Sequence, residues 1–482
     1  MEFETIIGLE VHVQVSTLSK MFCSCSAEYA SAPPNTHVCP ICLGMPGVLP
    51  VINRDAVRKT IMTALALGAE IPAYNKFDRK NYIYPDLMKG YQVSQYDLPM
   101  AVGGHVDIAA EGATRRVGIT RVHLEEDTAR LTHTAGHEGD YSLVDVNRSG
   151  VPLMEIVTEP DLRSPQEARE LLVELRRILR YIDASSANME EGQFRCDANI
   201  SQRSIDGTVV GAKVEIKNMN SFRAVERALA YEVERQRAAL GAGETILQET
   251  RGWSDADGVT LGQRSKEFAH DYRYFPEPDL PPLEISHEQV AEIAAAMPEL
   301  PQARRSRFES AFGLSAQESA LLTDEAPVAD YYERAVAAAG GHHRDVANWL
   351  VGDVFALARS RGGFDRVRVS PEQLAEVVVM VRSGDINAQA GKDVLGLADE
   401  TGRSPKDLVD ERGLRQVSDV GLVASAVAEV IAANPTAAGD FRAGKQAALG
   451  FLIGQVMKAM KGTGNPAVVR QEMTRQLNQE DR

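Results

Sequence analysis

A proline-rich segment divides this sequence into two parts of different character. Residues 274–286 read YFPEPDLPPLEIS and hold four prolines. Proline lacks an amide proton and fixes one backbone dihedral, so this segment cannot continue a helix or form a central strand. Short β-type runs and helical stretches precede it, whereas the residues from His287 onward are rich in Ala, Glu, Leu and Arg with helical periodicity. We predict a mixed part that ends near residue 285, followed by helical domains.

Strands and helices do not alternate strictly in the first part, which favours an α+β fold over a doubly wound sheet. Its predicted helices are RDAVRKTIMTALALGAE and SPQEARELLVELRRILRYI, the second opened by Ser164 and a proline. Its predicted strands are EFETIIGLEVHVQV, GGHVDIAAE, RRVGITRVHLEED and TVVGAKVEIKNM. In the second part, Ser370 and Ser404, each followed by proline, predict helix starts, and we divide this part into two units near residue 405.

Length and charge exclude several classes of protein. A chain of 482 residues has room for about three domains of ~150 residues each. Its formal net charge of -16 excludes a uniformly basic nucleic-acid-binding protein, although it leaves room for a local basic patch. The first residues lack a basic stretch followed by an apolar one, and no run approaches the ~18 apolar residues of a membrane span. We therefore expect a cytoplasmic protein with no membrane contact.

Four of the five cysteines lie close together and predict a metal site. Cys23-x-Cys25 is followed after thirteen residues by Cys39-x-x-Cys42. Two close pairs on a loop can supply four thiolates to a tetrahedral, structural Zn²⁺, and the odd total argues against a disulfide framework. Four ordinary reduced thiols remain the alternative. The fifth, Cys196, has no histidine near it in the sequence, and we interpret it as a structural cysteine.

Acidic side chains recur in the β-type runs. Residues two apart on a strand face the same way, so Glu10 and His12 share one face, and His123, Glu125 and Asp127 share another. Three further acids lie in short β-like runs: Glu155, Asp197 and Glu215. Each acid alone could simply face solvent. As a group they would repel one another unless a cation neutralised them, so we predict that they bind a divalent cation.

A basic and aromatic run covers residues 76–97, KFDRKNYIYPDLMKGYQVSQYD. Its charged residues Arg79, Lys80 and Lys89 could hold a polyphosphate beside the acidic face, and Arg148 and Arg273 lie in similar contexts. A solvated loop is the equal alternative. The chain has no phosphate-binding glycine loop of the G-x-x-x-x-G-K-[ST] or G-x-G-x-x-G type and no G-x-S-x-G motif. Acids, metal and basic side chains would therefore have to hold any nucleotide.

The run GKQAALGFLIGQVMKAMKG near the C-terminus predicts an amphipathic helix with a cationic back. Its apolar stripe comprises Leu449, Leu452, Ile453, Val456 and Met460, and the opposite side comprises Gly450, Gly454, Lys458 and Lys461. Residues 441–475 carry six basic side chains, including Lys445, against one acid. Glycines permit close approach of a phosphate backbone and lysines neutralise it, so a nucleic-acid contact is one interpretation. Close helix packing on the glycines is the other.

These motifs, taken in order, resemble one family over essentially the whole chain: the B subunits of glutamyl/aspartyl-tRNA amidotransferases. The residues that carry the resemblance are GLEVHVQV, FCSCS with CPICLGMPG, RKNYIYPDL, KGYQVSQYD, HLEEDTAR, DVNRSGVPLMEIVTEPD, MEEGQFRCDANIS, EIKNMNSFRAVERAL, RSKEFAHDYRYFPEPDLPPL and GKQAALGFLIGQVMK.

The resemblance implies an architecture and an activity. It implies a glutamine-synthetase-like α+β catalytic cradle over residues 1–290, an all-α domain over 291–405 and an all-α, YqeY-like, tRNA-binding tail over 406–482. The family uses ATP and Mg²⁺ to phosphorylate the side-chain carboxylate of Glu or Asp mischarged on tRNA, and ammonia then gives the amide. The ammonia comes from glutamine hydrolysed on a separate amidase A subunit, and a small C subunit completes a heterotrimer.

The resemblance also assigns residues. It implies catalytic roles for Glu10, His12, Glu125 and Glu155, and magnesium binding by Glu10, His12, Glu125, Asp127, Asp197 and Glu215. The zinc ligands it implies are Cys23, Cys25, Cys39 and Cys42. From the residues themselves we predict ATP or substrate contacts at Arg79, Lys80, Lys89, Arg148 and Arg273, and tRNA contacts at Lys445, Gly450, Gly454, Lys458 and Lys461. A noncatalytic tRNA-binding and assembly protein and a small-molecule amide ligase are rival hypotheses. The sequence leaves open whether Glu-tRNA, Asp-tRNA or both are substrates.

Overall fold

The computed structural model describes residues 2–110, 112–134, 141–265, 272–416, 420–460 and 464–479. It divides into two compact units, Met1–Pro301 and Gln302–Arg482. The first unit combines a large sheet with helices, so the prediction that this part mixes strands and helices is confirmed, while the glutamine-synthetase-like cradle stays a prediction. Within the described residues, every regular element from His287 onward is helical. The three-part division predicted from the sequence stays a prediction.

The first unit contains sixteen strands and four helices among its described residues. The strands are β1 Phe3–Gln14, β2 Tyr74–Asn75, β3 Asp78–Asn81, β4 Tyr91–Ser94, β5 Ala101–Val102, β6 His105–Ala110, β7 Ala113–Glu126, β8 Arg130–Thr134, β9 Tyr141–Asp145, β10 Pro152–Thr158, β11 Phe194–Ser204, β12 Val214–Met219, β13 Glu249–Ser254, β14 Val259–Ser265, β15 Phe275–Pro276 and β16 Leu283–Glu284. The helices are α1 Arg54–Ala66, α2 Pro165–Tyr181, α3 Phe222–Gly241 and α4 His287–Ala295.

The main sheet has nine strands in the order β14-β13-β12-β11-β1-β10-β7-β5, with β6 paired to β7. All of its neighbouring strands run antiparallel except β12 and β13. The side chains of strand β1 alternate between the two faces of this sheet. Ile7, Leu9, Val11 and Val13 are at most 1% exposed and belong to the hydrophobic core, while the polar residues between them face the other way. The sheet therefore presents one apolar and one polar face.

Helices cover the apolar face. Helix α2 begins after Ser164, whose side chain accepts a hydrogen bond from the amide of Glu167, as predicted. Its buried leucines, including Leu171 and Leu175, join the same core as β1. Helix α3 was not predicted, although Ser221 caps it in the same way. The proline-rich segment contributes only the two-residue strands β15 and β16, which lie at the edges of small sheets, as the shortage of amide donors requires.

The second unit has two hydrophobic cores. The first includes residues from Phe308 to Val409 and the second residues from Val423 to Leu477. Ser370 caps its helix through a capping box, whereas Ser404 precedes a helix without a side-chain cap. The helices are α5 Pro301–Phe312, α6 Ala316–Leu322, α7 Ala326–Ala338, α8 His343–Trp349, α9 Phe355–Arg361, α10 Pro371–Ser383, α11 Ala388–Thr401, α12 Pro405–Arg412, α13 Val420–Ala433, α14 Pro435–Arg442, α15 Ala447–Ala459 and α16 Pro466–Gln479.

Among the described residues, one bent pair of helical segments has the length and composition of a membrane span. Across the residues that the structure describes, no single helix is long and apolar enough to cross a bilayer. The segments Gly421–Ala433 and Pro435–Arg442 reach that length and apolarity only together, and they are bent by 96° at the break between them.

Candidate active site and metal centres

A cavity of about 670 Å³ opens on the polar face of the main sheet. Strands β1, β7, β11 and β12 supply part of its walls, and Lys80 and Tyr82 extend from the hairpin of β3 and β4. Residues 78–81 and 91–94 of the basic and aromatic run form the strands of this hairpin, whereas residues 82–90 connect them without regular structure. The lining side chains that bear on the chemistry are His12, Lys80, Tyr82, Glu125, Asp127, Arg195, Asp197, Lys217, Asn218 and Asn220.

Two histidines and two glutamates form a cluster beside this cavity, and two of them, His12 and Glu125, line it. In the sheet register, Glu155 on β10 lies opposite His12 on β1 and opposite His123 on β7. His12 Nε2 lies 3.4 Å from Glu155 Oε2 and 4.0 Å from Glu125 Oε1. His123 Nε2 lies 2.8 Å from Glu155 Oε2 and 3.7 Å from Glu125 Oε2. One ligand atom from each of His12, Glu125 and Glu155 falls within 4.8 Å of the other two, which is a spacing suited to one metal ion.

The four groups perturb one another's protonation. Burial by itself lowers the pKa of His123, but the carboxylates of Glu155 and Glu125 outweigh it and raise that pKa to about 9. Burial opposes ionisation of Glu155, yet His123 and His12 hold its pKa well below the usual range. Burial likewise opposes ionisation of Glu125, and His123 and Lys80 hold its pKa low. The two glutamates are therefore carboxylates at neutral pH.

Lys80 and Ser94 lie beside this group and come from the three-stranded sheet of β15, β3 and β4. The Ser94 hydroxyl donates a hydrogen bond of 2.9 Å to Glu125 Oε2. Burial by itself lowers the pKa of Lys80, but Glu125 and other nearby groups raise it overall. The Lys80 ammonium lies 5.0 Å from the centre of the Tyr272 ring and 6.0 Å from that of Tyr82. The Lys80 ammonium thus lines the same cavity as Glu125, one of the two carboxylates that are spaced to bind a metal ion.

Other predicted acids lie on the same face but pair with protein groups. Glu10 accepts a hydrogen bond of 2.9 Å from Asn199. Lys217 contacts Asp197 directly and lies 3.3 Å from Glu215, which also accepts a hydrogen bond from Thr250. Lys217 therefore offsets part of the negative charge of Asp197 and Glu215, and their predicted role in binding magnesium stays a prediction.

Asp127 belongs to a third group of charged side chains, together with Arg195 and Arg148. It accepts hydrogen bonds of 3.0 Å from Arg195 and 2.7 Å from Gln14, and Arg148 Nε lies 3.7 Å away. Burial opposes its ionisation, but Arg195 and Arg148 lower its pKa. Arg148 also donates to the carbonyl oxygens of Thr128 and Ala129, so most of its guanidinium serves to hold this turn. Sequence reasoning missed Arg195 and Lys217, since nothing local marks the partner of an acid on another strand.

The remaining predicted phosphate contacts lie outside the cavity lining. Arg79 forms a two-pronged ion pair with Glu277, both bonds being 2.7 Å, because it alternates with Lys80 on β3 and faces the other side. Lys89 pairs with Glu126, next to Glu125. Arg273 accepts a hydrogen bond of 2.8 Å at its carbonyl from the Asn81 side chain. Their predicted role in binding ATP stays a prediction.

The four clustered cysteines lie at metal-binding distance. Cys42 Sγ lies 3.5 Å from that of Cys23, 3.7 Å from that of Cys39 and 3.8 Å from that of Cys25. Tetrahedral zinc with bonds of about 2.3 Å separates its sulfurs by about 3.8 Å, so the spacing is compatible with structural zinc. The buried Lys20 ammonium lies 3.5 Å from Cys42 Sγ, where it offsets thiolate charge. Cys196 lies elsewhere, buried on β11.

The C-terminal helix has the two faces that its sequence predicts. Leu452 and Val456 on α15 are fully buried, whereas Gly450, Gly454 and Lys458 are exposed. A Cβ atom placed on either glycine meets nothing within 4 Å. No helix of the described part of the chain therefore packs closely against these glycines. Lys445 is exposed and forms an ion pair with Asp440, and Lys461 lies outside the described residues.

Comparison with known proteins finds related family models for both units of the chain. Residues 5–291 match the family model described as GatB/GatE catalytic domain, and residues 330–477 match the one described as GatB domain. The chain is 59% identical over 480 residues to the B subunit of the aspartyl/glutamyl-tRNA(Asn/Gln) amidotransferase of Thermomicrobium roseum, covering 99% of each chain. It is 51% identical over 490 residues to that of Dehalococcoides mccartyi, again covering 99% of each. The resemblance found in the sequence is confirmed, and the chain belongs to the family of aspartyl/glutamyl-tRNA(Asn/Gln) amidotransferase B subunits.

Proposed function

We propose that this chain is the ATP-dependent kinase and amidation component of a tRNA amidotransferase. It would phosphorylate the side-chain carboxylate of Glu or Asp esterified to tRNA and pass the activated acyl group to ammonia. The observation that carries the proposal is a cavity lined by His12, Glu125 and Lys80, where ligand atoms of His12, Glu125 and Glu155 lie close enough to share one metal ion. The names of the relatives, which describe B subunits of aspartyl/glutamyl-tRNA(Asn/Gln) amidotransferases, support it.

The chemistry requires an activation step. A carboxylate resists attack by ammonia because its leaving group would be oxide. Transfer of the terminal phosphoryl group of ATP to a carboxylate oxygen gives an acyl phosphate and ADP. Ammonia then attacks the acyl carbon, the bond to the phosphate oxygen breaks, and phosphate leaves with one ammonia proton. Positioning and charge stabilisation, rather than a protein nucleophile, supply most of the catalysis in such transfers.

His12, Glu125 and Glu155 fit a magnesium site. Their ligand atoms lie within 4.8 Å of one another, and the low pKa values of both glutamates leave them ionised. Magnesium bound there would neutralise charge on the transferring phosphoryl group. Among the residues of this chain, Lys80 would balance the negative charge beside Glu125, and Ser94 would fix the orientation of that carboxylate.

We assign a different role to the other predicted magnesium ligands. Asp197 and Glu215 hold Lys217, and Asp127 holds Arg195. Both cations line the cavity and would bind the phosphates of ATP once these acids position them. Glu10, fixed by Asn199, lies opposite Asp197 in the sheet register and extends the same polar face.

The zinc site and the tail would serve structure and substrate binding. Zinc held by the four cysteines would tie together the loop that follows β1. The open glycines and exposed Lys458 of α15 would contact the phosphate backbone of tRNA. A glutamine-hydrolysing A subunit and a small C subunit would complete a heterotrimer, which the naming of the relatives as B subunits supports.

The test uses the chain purified with its A and C partners. Wild-type complex should convert Glu-tRNA(Gln) or Asp-tRNA(Asn) to the amide with ATP and glutamine. Glu125→Gln should lose amidation by about 10²-fold or more, with ammonium salt as well as glutamine, while still binding tRNA. Glu244→Gln, an exposed acid beyond α3, is the matched control and should keep full activity.

Two outcomes would refute the proposal. Unchanged amidation in Glu125→Gln would mean that the chain is a noncatalytic tRNA-binding and assembly protein. ATP turnover with free glutamate in the absence of tRNA would instead identify a small-molecule amide ligase.

A further inference from the structure

One aromatic ring is open to the candidate active site. Tyr82 and Phe194 are the aromatic side chains among those that line the cavity. Phe194 is 0% exposed and belongs to the hydrophobic core, so its ring has no free face. Tyr82 is partly exposed and follows Lys80 by two residues at the end of β3. Neither magnesium binding nor phosphate binding gives this ring a role.

Tyr82 is the first member of a row of four tyrosines. Its ring centre lies 5.8 Å from that of Tyr272 in an edge-to-face arrangement. Tyr272 lies 6.1 Å from Tyr274, which stacks on Tyr96 at 4.2 Å with an interplanar angle of 9°. Such contacts hold aromatic rings in fixed orientations. The row is not a core feature, because all four rings are partly exposed and Tyr96 is 55% exposed.

The backbone beneath the row is also fixed. Asn81 precedes Tyr82, and its amide donates a hydrogen bond of 2.9 Å to the carbonyl oxygen of Tyr272. The Asn81 side chain donates another, of 2.8 Å, to the carbonyl oxygen of Arg273. The two segments that supply Tyr82 and Tyr272 are therefore joined directly. A prearranged ring loses little entropy when a flat ligand stacks on it.

We propose that Tyr82 stacks on the adenine base of the 3′-terminal nucleotide of the aminoacylated tRNA. This inference rests on the proposed function, since it places the nucleotide that carries the esterified amino acid. Under the proposed function, the carboxylate to be activated would lie near Glu125 and Lys80, and the ribose and base that carry the amino acid would extend from there. The Lys80 ammonium lies 6.0 Å from the centre of the Tyr82 ring, so the ring shares the cavity with this end of the site.

Stacking on tyrosine is a common way for proteins to hold an unpaired RNA base. The adenine of ATP is the less suitable occupant. The cations that would bind its phosphates, Arg195 and Lys217, come from strands β11 and β12, whereas Tyr82 comes from the hairpin that carries Lys80. The tRNA end is therefore the occupant that the two sets of lining residues favour.

The experiment uses the complete heterotrimer and a tRNA whose terminal adenine is replaced by 2-aminopurine, a base whose fluorescence falls when it stacks. The variants are Tyr82→Leu, which removes the aromatic face, and Tyr82→Phe, which keeps it. Tyr141→Leu, at an exposed tyrosine on β9 outside the cavity lining, is the matched control. KM values for aminoacyl-tRNA and for ATP are measured on the same preparations.

Binding to wild type, Tyr82→Phe and Tyr141→Leu should quench the fluorescence, and binding to Tyr82→Leu should not. The KM for aminoacyl-tRNA should rise about 5- to 30-fold in Tyr82→Leu, with the KM for ATP unchanged. A rise in the KM for ATP alone would assign the ring to the nucleotide, and failure to assemble the heterotrimer would assign it to a protein contact; either would overturn the inference. Equal quenching by all variants would overturn it too. A wild-type complex that does not amidate tRNA would instead refute the proposed function.

Discussion

Removal of the Glu155 charge should change the protonation of His123 by an amount that the structure allows us to work out. The pKa of His123 is raised from its ordinary value of 6.5 to about 9. That difference corresponds to about 3 kcal/mol of extra stability for the folded, protonated state, because 1.36 kcal/mol accompanies each tenfold change. Glu155 lies 2.8 Å from His123 Nε2 and Glu125 lies 3.7 Å from it, so Glu155 contributes the larger share.

The sign of the pH dependence follows from the raised pKa. The contribution is fully present below pH 6.5 and is lost as pH rises through about 9. In magnesium-free buffer, wild-type protein should therefore lose on the order of 3 kcal/mol of unfolding free energy over that interval from this group. Glu155→Gln keeps the shape of the side chain without its charge, so it should lower the pKa of His123 by about 1 to 2 and reduce this loss.

Histidine Cε1 resonances, followed by NMR during a pH titration, measure the pKa directly, and His123→Asn assigns the signal among the ten histidines. Urea unfolding at several pH values measures the stability. Added Mg²⁺ should depress the titration of His12, because a metal ligand must be unprotonated. A wild-type His123 that titrates at or below 6.5, or that titrates alike in Glu155→Gln, would refute the electrostatic account of this cluster.

Three further predictions concern the zinc site and the core. Cys42→Ser should abolish zinc measured by mass spectrometry, whereas Cys196→Ser should retain it; equal zinc in both would refute the assigned ligands. Gly104 has a φ of +97° and faces a carbonyl oxygen 2.6 Å from the position of a Cβ, so Gly104→Ala should cost about 2 kcal/mol more than Gly103→Ala, whose Cβ would meet open space. Denaturant unfolding checks this, and equal costs would contradict it. Leu452→Ala should lower the free energy of unfolding by about 2–5 kcal/mol, because the side chain is 0% exposed. A loss below about 1 kcal/mol would contradict tight packing of the core between Val423 and Leu477.

Several features could be predicted because their physical cause is local. The alternation along β1 depends only on the two-residue period of a strand. Ser164 caps α2 through an amide three residues away. The cysteine spacing predicted a cluster, since loops of that length let four thiols meet. The apolar stripe of α15 likewise follows from the period of a helix.

The periods of strands and helices were enough to predict which side chains share a strand face or a helix face. The order of the strands in the sheet, and therefore which charges meet, emerged from the folded chain. Glu155 faces His12 and His123 because β10 lies between β1 and β7, and Lys217 neutralises Asp197 because β12 lies beside β11. Sheet order depends on how the whole core packs, so no local pattern contains it. The acids that we predicted to bind magnesium therefore fall into two classes. Glu125 and Glu155 lie with His12 at a spacing suited to a metal ion, whereas the others pair with side chains of the protein.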